Sequence, residues 1–248
     1  MNFQSRGSQA YNEFGMSAIA PLRELDSGKP PSAPTSFTLP RLATTAEFLL
    51  VYTGILLYIW VWERRHPHVW MALLAFVLLT HVLHHDTLRT LGLSFAELRP
   101  NAEFLLPIMA GIFVVLAVVG FARHILTPVL PGRQTILWFA GYFVWGACQQ
   151  YLAQSYFHNR LMSVIPNRHL TSLIVALMFG GAHIPNPVLM VATFIAEYIF
   201  SEAFARHRNI WPLALAHAAG GFLIAAIAPT SLIHNMRVGP GYYFYGLR

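Results

Sequence analysis

The residues that could do chemistry here are polar side chains set inside apolar runs. Gln149, Gln150 and Gln154 share one such run, and Gln150 and Gln154 stand one helical turn apart, on one face. Amides at that depth hydrogen-bond one helix to another, but they do not act as bases. His183 in FGGAH and His217 in LALAHAAGG are flanked by Gly and Ala. Small neighbours let helices approach, so a cavity lined by two imidazoles, each able to carry or pass a proton, is one reading. Hydrogen-bonded packing is the other. Glu197 is a carboxylate near the middle of an apolar run, whereas Glu47, Glu103 and Glu202 lie near run ends and Glu202 has Arg206 at i+4. Glu197 has only Thr193 and Ser201 at that spacing. It is therefore protonated, paired across helices, or chemically employed.

Two other features carry less. His81, His84 and His85 spell HVLHH, the HxxHH spacing of the di-iron membrane oxygenases, but no second such box follows. An interfacial histidine cluster is expected instead. Cys148 is the sole cysteine, which excludes an intramolecular disulfide and a cysteine-based metal cluster. Nothing nearby would lower its thiol pKa, so packing is its expected role.

These side chains must be positioned by an all-α scaffold in a bilayer. Of 248 residues, 56% are apolar and 10% charged, against about 25% charged in a soluble domain. Net charge is +6, but Lys29 is the one lysine and the arginines are scattered, so no nucleic-acid surface is indicated. Runs bounded by Arg, His or Pro predict about seven transmembrane helices, at 43–62, 68–84, 104–121, 134–157, 169–184, 188–206 and 212–228. Pro185 and Pro187 demand a tight turn between the fifth and sixth. Residues 1–42, rich in Ser, Gly and Pro, read as a disordered polar tail and not as a signal peptide. The transmembrane domain covers 43–228, and 229–248 forms a short tail whose tyrosines suit the membrane interface. With Arg6 left out as too remote from a helix end, nine Lys and Arg residues fall on the side of the N-terminus (Arg23, Lys29, Arg41, Arg89, Arg99, Arg160, Arg168, Arg206 and Arg208) and six on the other. That excess places the N-terminus in the cytoplasm of a multi-pass integral membrane protein.

Together the positions resemble the CPBP family of membrane proteases, related to the CAAX prenyl endopeptidases, over roughly residues 80–225. The family pattern is EExxxR, then FxxxH, then HxxxN. Phe179 and His183 fit the second motif, and His217 fits the histidine of the third. RHRNIWPLALAH and DTLRTLGL resemble the segments that lead into it. The first motif is divergent: Gln149 and Gln150 stand at the glutamates, Gln154 at the arginine, and Gly221 at the final asparagine. Losing two anions with the cation that balances them leaves no orphan charge in a low-dielectric bundle.

The resemblance implies a membrane endopeptidase acting on membrane-anchored or lipidated proteins. In it a glutamate activates the attacking water, histidines assist, and His and Asn steady the oxyanion. Here two outcomes stay open. Glu197 replaces the missing base beside His183 and His217, or the three hold a divalent metal. Alternatively the chain is a catalytically inactive relative, a pseudoenzyme that binds transmembrane or lipidated segments as partner or chaperone. Gln149, Gln150, Gln154, Phe179 and Gly221 would line the site in either case. One inconsistency accompanies both outcomes: at 1.5 Å rise per residue, the predicted helix ends put Gln150 about 11 Å deep, His217 about 8 Å and His183 about 21 Å.

Overall fold

In hydrocarbon a backbone must satisfy its own N–H and C=O groups, so long apolar runs become helices. The computed structural model describes residues 41–125 and 132–244. They form α1 (Arg41–Leu57), which widens into a π-helical turn at Tyr58–Trp62, α2 (Val69–Leu83) and α3 (Leu98–Ala122). Next come α4 (Arg133–Gln150), a π-helical stretch Tyr151–His158, and α5 (Asn159–Val164). Then follow α6 (Arg168–Gly181), α7 (Pro187–Arg206), α8 (Trp211–Ile227), and the short α9 (Thr230–Ile233) and α10 (Pro240–Tyr243). No strand occurs among the described residues, and the fold is all-α.

Each expected apolar run contains a helix. Three helices, Arg41–Trp62, Leu98–Ala122 and Pro187–Arg206, are long and apolar enough to cross a membrane, and Val69–Leu83 and Trp211–Ile227 are shorter apolar helices. Their outward faces are apolar: Val114, Val115, Val118 and Phe121 of α3 are all exposed, as suits side chains that meet lipid. This is an integral membrane protein in a bilayer environment.

Five boundaries differ from expectation, the first being the start of α3 at Leu98 where the run is expected from 104. The polar tail assigned to 1–42 lies outside the described residues except at its end, where α1 already begins at Arg41. The fourth run does not stop at 157 but stays helical to Val164. The fifth ends at Gly181, leaving His183 in the turn that follows. The C-terminal segment is no plain tail, because α9 and α10 fold back on the body of the protein. Asn186 organises that return. Its side-chain oxygen accepts from Leu189 N at 3.3 Å and caps α7, while its amide donates to Ile233 O (2.8 Å) and Arg237 O (3.2 Å).

Two apolar clusters carry the packing. One joins Phe48 and Val51 of α1, Val77 of α2, Tyr156, Phe157 and Leu161, and Val175 of α6. The other joins Leu105 and Met109 of α3, Phe200 and Phe204 of α7, and Leu213 and Ala216 of α8.

The loop before α3 ties these layers together through its backbone. Leu91 O accepts from Ser155 Oγ, Thr90 O from Asn159 Nδ2 (2.9 Å), Ser94 O from Asn209 Nδ2 (2.7 Å), and Gly92 O from Ile210 N (3.0 Å). Gly92 has φ +70°, and a Cβ there would lie 2.5 Å from Phe204 Cε2 and 3.2 Å from Asn209 N. Substitution by alanine adds left-handed strain of about 1–2 kcal/mol to that clash. Gly92→Ala is expected to lower the melting temperature in detergent by several degrees; an unchanged melting temperature would contradict this.

His81 and His84 of HVLHH belong to an ion network, and no di-iron site forms among the described residues. Arg160 of α5, with only 4% of its side chain exposed, donates from Nε to Glu47 Oε1 (3.0 Å) and from Nη1 to Asp86 Oδ2 (2.8 Å). His84 Nε2 meets Glu47 Oε2 at 2.8 Å, His81 Nδ1 meets Asp86 Oδ2 at 2.7 Å, and His85 is exposed. The cluster is thus drawn inward by a buried arginine, where the sequence pointed to headgroups. Cys148 also departs from expectation, since it faces outward and is exposed.

Candidate functional site

α4 and the π-helical stretch present one face toward α7. Gln150 is fully buried and donates from Nε2 to Glu197 Oε2 at 2.8 Å, and Gln154, also fully buried, donates from Nε2 to Glu197 Oε1 at 2.5 Å and to Ser201 Oγ at 3.1 Å. Glu197 is therefore partnered across helices by two neutral amides, which leaves a chemical role open. Each carboxylate oxygen has two lone pairs, so one amide on each leaves acceptor capacity on both.

Glu197 also lines a cavity of about 230 Å³. His183, His217, Gln149, Phe179 and Gly221 share its wall with Tyr142 and Trp145 of α4. Every candidate except Gln150 and Gln154 therefore borders the cavity, and those two stand behind it holding Glu197.

The hydrogen bonds fix the two imidazoles in different tautomers. His183 Nδ1 lies 2.7 Å from Phe179 O, an acceptor only, so Nδ1 carries the proton and the neutral ring offers Nε2 as an acceptor. His217 Nδ1 lies 3.4 Å from Gln150 Nε2, a donor only, so Nδ1 accepts and the neutral ring carries its proton on Nε2. One histidine is thus set to accept and the other to donate. Thr193 Oγ1, 3.4 Å from His183 Nδ1, adds a polar contact from α7 that the sequence did not single out.

The metal alternative does not fit these contacts. Among the described residues no group of three His, Cys, Asp or Glu side chains is placed to hold a metal ion. His183, His217 and Glu197 are candidates for a metal as one alternative, and among the described residues they do not form a three-ligand group.

The mismatch in depth disappears for two reasons. The helix bearing Gln150 continues to Val164, seven residues past the expected end, which adds about 10 Å and brings Gln150 to the depth of His183. The segment before α8 is recessed, with Asn209 fully buried and Ile210 only 2% exposed. His217 therefore starts its count from inside the protein.

Two features of the wall were invisible in the sequence. Met236 and Val238 from the C-terminal segment border the cavity, held there by Asn186 and by Gly239 N donating to Ile184 O at 2.9 Å. Tyr142 fills the space that Gly221 leaves: a Cβ on Gly221 would come within 2.7 Å of the tyrosine ring and hydroxyl. The run WFAGYFVW, in which Tyr142 is one of several aromatic residues, gives no reason to choose it.

No curated protein and no solved structure matches the chain. A family model does, over residues 131–223, and its description is type II CAAX prenyl endopeptidase Rce1-like. The match takes in α4 to α8 up to Leu223, and so the polar residues that contact Glu197, but not α1 to α3. The resemblance to the CPBP and CAAX prenyl endopeptidase-like family is thus borne out over α4 to α8.

Proposed function

We propose that the chain is an endopeptidase that hydrolyses peptide bonds of membrane-anchored or lipidated proteins, with Glu197 as the general base in place of the glutamates that Gln149 and Gln150 replace. The observation that carries this reading is that Glu197, His183 and His217 border one cavity, with the carboxylate oriented by two amides. Water held at Glu197 loses a proton to the carboxylate as its oxygen attacks the substrate carbonyl carbon. The proton then passes to the departing amine as the C–N bond breaks. His217, protonated on Nε2, is suited to steady the oxygen that gains charge, and His183 Nε2 accepts from water or from the amide N–H.

Gln149 supports a wet site. Its side-chain oxygen is buried without a partner beside the cavity, a place where ordered water satisfies a lone acceptor. The nine-to-six distribution of basic residues supports a cytoplasmic N-terminus.

The reading is tested with detergent-purified protein and a membrane-anchored peptide. Wild type is expected to cleave it, and His183→Ala and His217→Ala each to lose about 10²-fold or more in kcat. Equal rates in all three proteins would refute these roles.

A second reading rests on the same contacts. Both oxygens of Glu197 are held by amides and position 221 bears no side chain, an arrangement that would also suit a relative that binds membrane segments without cutting them. A folded wild type that binds the peptide and leaves it intact would favour that reading.

A further inference from the structure

Besides Gln149, the cavity wall holds a hydroxyl without a hydrogen bond among the described residues, that of Tyr142. Tyr142 stacks edgewise on Phe222, with ring centroids 6.0 Å apart, and lies 6.1 Å from His217 by the same measure. Its hydroxyl is not engaged by any hydrogen bond found for it among the described residues, although other tyrosines reach backbone carbonyls, as Tyr52 does to Met178 O (2.9 Å) and Tyr58 to Pro67 O (3.1 Å). A phenol in an apolar wall ordinarily finds a partner. Here Gly221 makes the room: the tyrosine ring and hydroxyl occupy the space in which any side chain at 221 would stand.

Several of the other polar groups around the cavity are acceptors. Glu197 is a carboxylate, Gln149 presents an unpartnered oxygen, and His183 offers an unprotonated Nε2. A ligand carbonyl, which only accepts, would meet repulsion from each of these and attraction from few groups. The donors on the wall are His217 Nε2–H, the Gln149 amide, the Trp145 indole N–H and the Tyr142 hydroxyl, and of these the Tyr142 hydroxyl stands in the space beside Gly221. We infer that the Tyr142 hydroxyl donates a hydrogen bond to the carbonyl oxygen of a peptide bound in the cavity, in the space that Gly221 leaves. The inference deepens the hydrolytic reading and rests on it for its kinetic consequence, but the contact is a binding event that can be read without turnover.

Tyr142→Phe keeps the ring and its packing and removes the donor. If the hydroxyl meets charge that grows on the carbonyl oxygen during attack, kcat falls by about 10²–10³ while KM changes little. Tyr142→Ala is expected to lose at least as much. Tyr142→Ala combined with Gly221→Asn places an amide donor in the vacated space and is expected to recover part of the loss, whereas Gly221→Asn alone collides with the ring.

The readout without turnover uses a peptidyl ketone with a ¹³C-labelled carbonyl, bound to the full-length protein in detergent and followed by isotope-edited infrared spectroscopy. The carbonyl stretch is expected at lower frequency in wild type than in Tyr142→Phe. Wild type that cleaves peptide at the same rate as Tyr142→Phe, with one carbonyl frequency in both, overturns the inference and leaves the hydrolytic reading standing. Wild type that fails to cleave but shows the hydroxyl-dependent shift overturns the hydrolytic reading and supports the contact. Failure of the ketone to bind overturns the inference.

Discussion

Glu197→Gln is expected to lower kcat by about 10²–10⁴ with little change in KM, because a glutamine cannot take the proton of the attacking water. The substitution keeps the shape of the side chain and joins two amides already present, so the helices have no new volume to accommodate. Gln150 and Gln154 now donate to the carboxylate; opposite a third amide they can rotate and offer oxygen instead, which retains a hydrogen-bonded cluster. Stability should therefore change little, or rise slightly, since burying a neutral amide costs less than burying an ionised group. This pairing of a large kinetic loss with an intact fold separates a chemical role from a packing role. A variant that cleaves at the wild-type rate would remove Glu197 from the mechanism. A variant that unfolds would show that the carboxylate serves the bundle instead.

The largest loss of stability is expected at Arg160. Its guanidinium faces Glu47 and Asp86, whose side chains are 10% and 13% exposed. It also lies over the Tyr156 ring, 5.4 Å from the centroid. Arg160→Ala leaves two buried carboxylates facing each other across a void, with only His81 and His84 to meet them, and breaking a buried pair from one side typically costs about 3–5 kcal/mol. Melting in detergent should reveal that loss; a variant as stable as wild type would mean that the network adds nothing.

The network also sets an acid limit. Burial opposes the ionisation of Asp86, but hydrogen bonds from His81 and Arg160 and the charge of Arg160 outweigh it and hold the carboxyl below its ordinary range. A depressed folded-state pKa contributes stability that is present above the unfolded value, near 3.8, and is lost as pH falls through the folded one. Arg160→Ala should flatten that part of the acid limb.

What was legible in the sequence follows from what each signal depends on. Apolar runs and their Pro and Arg boundaries are local, and they located helices in all seven regions. Gln150, Glu197 and His217 stood out because polar groups at membrane depth are costly, and they do converge. Their shared depth was not legible, because it depends on how far the helix after Gln150 continues and on a recessed start to α8. Local patterns do not encode either. Arg160 read as a loop charge that counts toward orientation, since its partners lie 113 and 74 positions away. HVLHH pointed toward metal or headgroups for the same reason. Tyr142 was hidden in an aromatic run, and its significance comes from an absent side chain on another helix.

The most direct test of the central claim is cleavage of a membrane-anchored peptide library in H₂¹⁸O by the detergent-purified full-length protein, with Glu197→Gln run in parallel and products read by mass spectrometry. The account predicts new carboxyl termini carrying ¹⁸O from the attacking water in wild type, and their loss in the variant. A folded wild type that leaves every peptide intact, or a Glu197→Gln protein that produces the same labelled termini at the same rate, would contradict it.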